Sequence, residues 1–311
     1  MKLAVISFVL SLASASFAFD AKSWLSGIAK HENRLAALKA QYRLFDALTN
    51  EPASDISIPV ETFPSGAVKT LLQARRARFQ AQSDYVWGEK VKVLQFAENG
   101  ATQAVINAST CVVDRKNKLA WCKGLADASF DNNFLEGEGV FLSMDRRFLH
   151  IFTDAFVKVK GVKLDSGKEG EISLESKSAV YDQQNGVVMF DREVNVSETG
   201  RKFSCDKAYA FIEGTNSVKK VVAVGNVRFS DGLRTGSCPF AVYDRQNAKI
   251  EMFSNGGQAP VIQETGRNKW KLEGEKMVFW IDSEQVEVVK SVITASDMDK
   301  DALNLEGLKN E

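Results

Sequence analysis

Ala179-Val180-Tyr181-Asp182-Gln183-Gln184-Asn185 recurs as Ala241-Val242-Tyr243-Asp244-Arg245-Gln246-Asn247, and more loosely as Cys111-Val112-Val113-Asp114-Arg115-Lys116-Asn117. Near-identity over such a stretch marks an internal repeat, and a repeat governs every later reading of a fold. Two shorter pairs support it. Leu135-Glu136-Gly137-Glu138 returns as Leu272-Glu273-Gly274-Glu275, and Glu198-Thr199-Gly200-Arg201 as Glu264-Thr265-Gly266-Arg267. Aligning the units places their starts at Cys111, Val140, Ala179, Ala208, Ala241 and Met277.

Each unit reads as strand, polar turn, strand. Nine and eleven residues past the anchor come the apolar pairs Leu149 and Ile151, Val188 and Phe190, Ile250 and Met252, Val286 and Val288. A spacing of two puts each pair on one face of a returning strand. Asp114, Asp182 and Asp244 fill one slot beside the turn, where an Asp side chain bonds the backbone; a turn role outweighs catalysis there. Stacked hairpins of this kind enclose an apolar interior between two layers. Ala179, Ala208 and Ala241 set a small-residue stripe opposite larger side chains. On patterning alone a filled core, small against large, is the simpler reading; a groove open to an acyl chain is the other.

Outside the repeat the pattern changes. Trp24, Ile28, His31, Leu35, Leu38, Tyr42 and Phe45 recur at alternating spacings of four and three, which predicts a helix over 21–48 with one apolar seam. Pro52, Pro59 and Pro64 predict a linker over 49–66. Ser65 is expected to cap a second helix to about Gln82, with Val68, Leu71, Leu72 and Phe79 on one side. Its Lys69, Arg75, Arg76 and Arg78 form a solvated face or one attracted to anionic lipid. The start of the chain reads as a signal peptide, residues 1–18: Lys2, an apolar run Leu3 to Leu12, then Ser16-Phe17-Ala18. That run is short for an uncleaved anchor. The expected organisation is therefore a signal peptide, a helical region with its linker at 19–84, a β-repeat domain at 85–295, and a polar tail at 296–311.

Composition excludes several functions. Forty basic and forty acidic residues give zero net charge, so a general footprint for nucleic acid is missing. With only His31 and His150, neither metal binding nor histidine-driven catalysis is expected, and no cofactor is implied. There is no phosphate loop and no nucleophile elbow, so an enzyme is not expected. In an exported protein the four cysteines are free to oxidise. Cys111 and Cys122 flank one turn, and Cys205 and Cys238 both lie three residues before a unit anchor. Disulfides 111–122 and 205–238 are expected, free buried thiols being the alternative.

Phe203-Ser204-Cys205-Asp206-Lys207-Ala208-Tyr209-Ala210, followed by Val221-Val222-Ala223-Val224-Gly225-Asn226-Val227-Arg228-Phe229, resembles the OstA-like (LptA-like) family pattern. That pattern is apolar-x-Ala-Asp-x-Ala-x-Tyr, then Gly-Asn-Val-x-apolar, and the resemblance spans roughly residues 86–295. It implies a mainly β fold, a repetitive stacked antiparallel β-jellyroll (a β-taco) open along one side, here with an N-terminal α-helical extension. It also implies a periplasmic lipid-binding or bridge role in lipopolysaccharide transport, with acyl chains in the groove and other transport components joined by edge-strand pairing. A non-enzymatic envelope adaptor with a filled stack is the alternative. Two features depart from the family. Cys205 stands where it has Ala, and residues 21–84 have no counterpart in the compact bridge proteins; they could cap an end, dock a partner or shield the open seam. The repeat slots and their equivalents give the expected lipid-contacting face: Tyr181, Val188, Phe190, Val194, Phe203, Val227, Phe229, Tyr243, Ile250 and Met252.

Overall fold

The computed structural model describes residues 21–48, 51–80, 83–130, 133–163, 169–198, 200–213, 217–264, 270–281, 285–290 and 292–295. The expected signal peptide and polar tail lie outside the described residues. One helix, α1 (Ala21–Asp46), precedes a single antiparallel sheet of 19 strands among the described residues. The first strands are β1 (Ala53–Thr62), β2 (Val68–Phe79), β3 (Tyr85–Phe96), β4 (Thr102–Asp114), β5 (Leu119–Phe130), β6 (Asn133–Ser143) and β7 (Phe148–Lys163). Then come β8 (Glu169–Ser176), β9 (Ser178–Asp182), β10 (Val187–Glu198), β11 (Arg201–Glu213), β12 (Ser217–Ser230) and β13 (Arg234–Asp244). The last are β14 (Lys249–Phe253), β15 (Val261–Glu264), β16 (Trp270–Glu273), β17 (Lys276–Trp280), β18 (Val286–Val289) and β19 (Val292–Ala295). This is the repetitive, mainly β architecture with a helical extension that the repeat predicts.

The sheet is creased along one line. Register shifts interrupt β4 between Ala108 and Cys111, β5 between Cys122 and Leu125, β10 between Asp191 and Val194, and β12 between Val224 and Val227. At the same level other rungs break outright: β8 and β9 are two halves of one rung, as are β14 and β15, β17 and β16, β18 and β19. Bulges bend a strand and sharpen its twist. Aligned on successive strands, they fold the sheet into a first wall, carrying β9, β14, β17 and β18, and a second wall, carrying β8, β15, β16 and β19.

The Asp…Gly-Asn-Val pattern is the chemistry of that crease. Gly225 has φ +79°, and a Cβ there would collide with the Asp206 side chain. Asn226 also takes the left-handed region, φ +47°, which Asn tolerates, and its amide donates to both Asp206 carboxylate oxygens at 3.2 and 3.0 Å. At the turns, Asn117, Asn185 and Asn247 each donate a backbone N–H and a side-chain amide to the Asp three residues before, at 2.7–3.2 Å. The aspartates of the repeat are turn residues, as their position implied.

Two expectations about 49–82 are overturned. The linker contains β1 and the second helix is β2, so the sheet begins at Ala53, not Tyr85. Pro59 fits the strand because β1 pairs on one side only, so its missing N–H is not needed, while Pro52 and Pro64 fall just outside β1. In β2 the buried positions are Thr70, Leu72, Ala74 and Ala77, a period of two slipped once at the exposed Arg75 and Arg76. One buried Thr and two buried Ala hid that alternation.

The 205–238 bridge is also overturned: both thiols are free and buried, while Cys111–Cys122 is bonded. Cys111 and Cys122 face each other on adjacent strands, Cα–Cα 4.1 Å. Cys205 pairs with Val194 and Cys238 with Val227, so β12 runs between the two cysteines. Strands two apart lie about 9.6 Å from each other, beyond the reach of a disulfide. Equivalent positions of neighbouring units are two strands apart, not one.

α1 neither caps an end nor shields the seam. It lies on the outer face of the first wall, crossing the strands. Trp24 meets Tyr209 of β11 edge-on at 6.3 Å, His31 stacks on Phe148 of β7 at 4.0 Å, and Tyr42 meets Trp121 of β5 at 5.3 Å. At about 1.5 Å per residue the helix is ~39 Å long, enough to cross about eight strands. Trp24, His31, Leu35, Leu38, Tyr42 and Phe45 are buried and Ile28 is half-buried, so the predicted seam is the packed face. Trp24 Nε1 donates to Asp182 at 2.9 Å, and Arg78 of β2 donates to the Phe45 carbonyl, satisfying a helix-end acceptor.

Candidate functional site

Cross-strand partners share a face, so the register sorts inner side chains into rows. Nearest the crease on the first wall runs Gly88, Cys111, Cys122, Val140, Ile151, Ala179, Phe190, Ala208, Ala223, Ala241, Met252, Met277 and Val288. Every unit anchor falls in this row. One step towards the open side is a second row: Leu149, Tyr181, Val188, Ala210, Val221, Tyr243, Ile250, Phe279 and Val286. On the second wall the facing row is Leu72, Val93, Ile106, Ala128, Leu135, Val157, Leu174, Val196, Phe203, Phe229, Gly236, Ile262 and Leu272. The result is one apolar interior from β2 to β18; Val140 touches both of the clusters that compose it.

Eight of the ten expected residues fall in one cluster of that interior. Phe190, Val194, Val227 and Met252 are buried beside the crease, and Val188, Phe203, Phe229 and Ile250 are half-buried towards the mouth. Tyr181 and Tyr243 take the mouth row by register and are half-buried. Burial raises the Tyr181 phenol above its ordinary range. The arrangement is graded: sealed at the crease, partly open at the mouth. Phe229 lies over Gly236, where a Cβ would meet its ring, so Gly236 is the seat of an aromatic side chain.

The expected lining left out Ala210 and Val221 of the mouth row, and also Leu149 and Phe279, although the repeat slots put both on the inward face. Sequence reasoning also missed that the first wall is apolar on its outer side. Val112, Val180 and Val242, each one residue past an anchor, are buried under that outer face, together with Trp87, Trp121, Phe141, Tyr209 and Val222. The signal was present: an apolar residue between two inward positions marks a strand covered on both faces.

Little else offers chemistry. Burial pushes both free thiols up to about 12, so neither is a thiolate at neutral pH. A depression of about 470 Å³ lies at the second wall, lined by polar residues such as Asn195, Ser197, Lys202, Ser204 and Arg228 together with Val196, Phe203, Phe229 and Gly236 of the facing row. Among the described residues no cluster of His, Cys, Asp and Glu could hold a metal ion, and no helix is long and apolar enough to cross a membrane.

The described residues thus form one creased, stacked antiparallel sheet around an apolar seam. Residues 173–285 match the family model described as LptA/(LptD N-terminal domain) LPS transport protein. Among solved structures the chain is similar to LptH, the LptA-homologous periplasmic component of the lipopolysaccharide transport device of Pseudomonas aeruginosa. Identity is 15%, the TM-score is 0.34, and the match covers 41% of this chain and 95% of that one. No curated protein matches.

Proposed function

We propose that the protein acts in lipopolysaccharide transport as an exported, periplasmic carrier that shields acyl chains in the seam between its walls. The observation that carries this reading is the pair of facing apolar rows, half-buried at the mouth, along the length of the stack. The matched family supports it, being one of lipopolysaccharide transport proteins. Each chain CH₂ removed from water contributes about 0.8 kcal/mol before binding costs, so many weak contacts suffice and no bond chemistry is needed. Other transport components would extend the sheet at its free edges, β1 and the β18–β19 rung, by strand pairing.

Complete burial beside the crease, at Val194, Cys238, Met252 and Met277, favours a second reading, a filled stack that serves as a non-enzymatic envelope adaptor. Mass spectrometry of lipid released from the purified mature protein separates the two. A stoichiometric acylated lipid is expected for the carrier; reproducibly lipid-free protein would favour the adaptor.

A further inference from the structure

The innermost apolar rows do not reach the lip of the second wall unchanged. The outermost inward positions are uncharged on one half, with Phe130, Asn133, Val159 and Ile172, and charged on the other, with Glu198, Arg201, Arg234 and Glu264. Among these, Arg234 crosses the mouth. It stands two residues before Gly236 on the second wall, and its guanidinium carbon lies 5.0 Å from the ring centroid of Phe279 on the first. Its Nε donates to Asp231 Oδ2 at 2.9 Å and its Nη2 lies 2.7 Å from the same oxygen, with both side chains less than one-fifth exposed.

Asp231 does not depend on that guanidinium. Its other oxygen accepts the backbone N–H of Arg234 at 2.8 Å and of Leu233 at 3.3 Å, which fixes the carboxylate in its turn. The guanidinium can therefore swing to another anion while Asp231 keeps hydrogen-bond donors. A planar fork of five N–H donors suits phosphate, and stacking on Phe279 holds the cation where a chain leaves the seam for water.

We propose that Arg234 is the headgroup anchor of the seam: it takes the phosphate of an anionic amphiphile whose chain lies between the walls, exchanging the Asp231 carboxylate for it. This rests on the carrier reading above and adds the chemical class of the head.

The test uses the mature protein, with dodecyl phosphate and dodecyl glucoside as probes of one chain length and inorganic phosphate as the chainless control. Arg234→Gln should weaken dodecyl phosphate about tenfold and leave the glucoside unchanged. Asp231→Asn, which releases the guanidinium, should tighten the phosphate probe. Melting curves of both variants establish that they are folded, and Arg234→Lys, which keeps a charge but not the fork, should fall between wild type and Arg234→Gln. Equal loss for both probes, or no loss, in folded variants would overturn the anchor alone. Binding of inorganic phosphate as tight as that of dodecyl phosphate would also overturn it, leaving a free-anion site. Failure of wild type to bind either dodecyl probe would overturn the carrier reading and the anchor with it.

Discussion

His150 sits on the outer face of the first wall, stacked on Phe152 at 3.9 Å, with Lys39 of α1 5.1 Å above that ring. Burial, then the charges of Lys39 and His31, lower its pKa to about 4 from 6.5. His31, facing Arg34 and Arg146 as well as Asp182 and Asp145, is lowered too, mainly by burial. Between the two values the unfolded chain holds the extra proton, so stability falls as pH drops from about 6.5 towards 4. For His150 alone the loss approaches ~3 kcal/mol. Urea unfolding across this range should be steeper with pH in wild type than in His150→Gln; parallel profiles would contradict a neutral, half-buried His150. At the crease, Gly225→Ala should cost about 1–3 kcal/mol, since it forces a side chain into a left-handed conformation against Asp206. Chemical denaturation reads that loss, and Asn226→Ala should also destabilise, since it removes the two hydrogen bonds to Asp206 and puts Ala in the left-handed region.

At the scale of elements, α1 is the cover of one wall. Leu38 and Phe45, both 1% exposed, carry that contact, and truncating either to Ala should cost about 2–5 kcal/mol in thermal or denaturant unfolding. A change below ~1 kcal/mol would show the helix to be loosely attached. Alkylation under non-reducing, denaturing conditions should find two thiols, Cys205 and Cys238, and no more. This helix was legible because its whole apolar side is one uninterrupted seam. Strands β3 to β18 were legible through their repeated turns, whose Asp and Asn recur at fixed spacing. β1 and β2 were not, because two buried Ala and one buried Thr carry no apolar period and the alternation slips between Ala74 and Ala77. The false 205–238 pairing arose because the repeat counts units while disulfide geometry counts strands.

Over the whole molecule, a single creased sheet has two very different outer faces and one inner one. Helix α1 occupies the first wall's outer face, and the second wall's outer face is polar, with Asn195, Lys202 and Arg228 exposed. Among the described residues the interior is a continuous apolar surface not wholly covered by another element. Of the expected lining, the repeat spacing picked out Tyr181, Val188, Phe190, Tyr243, Ile250 and Met252 on the first wall, but the gradient from sealed crease to half-open mouth depends on how sharply the bulges fold the sheet, which no periodicity encodes. The central claim is that a chain enters at that mouth. Phe203 and Lys202 are neighbours on β11 facing opposite ways, Phe203 half-buried in the seam and Lys202 exposed outside. A photo-crosslinking phenylalanine analogue at each position, irradiated in living cells, compares the two faces directly. Lipid captured at 203 and not at 202 is the predicted result; equal labelling at both, or none at 203 in folded protein, would contradict it.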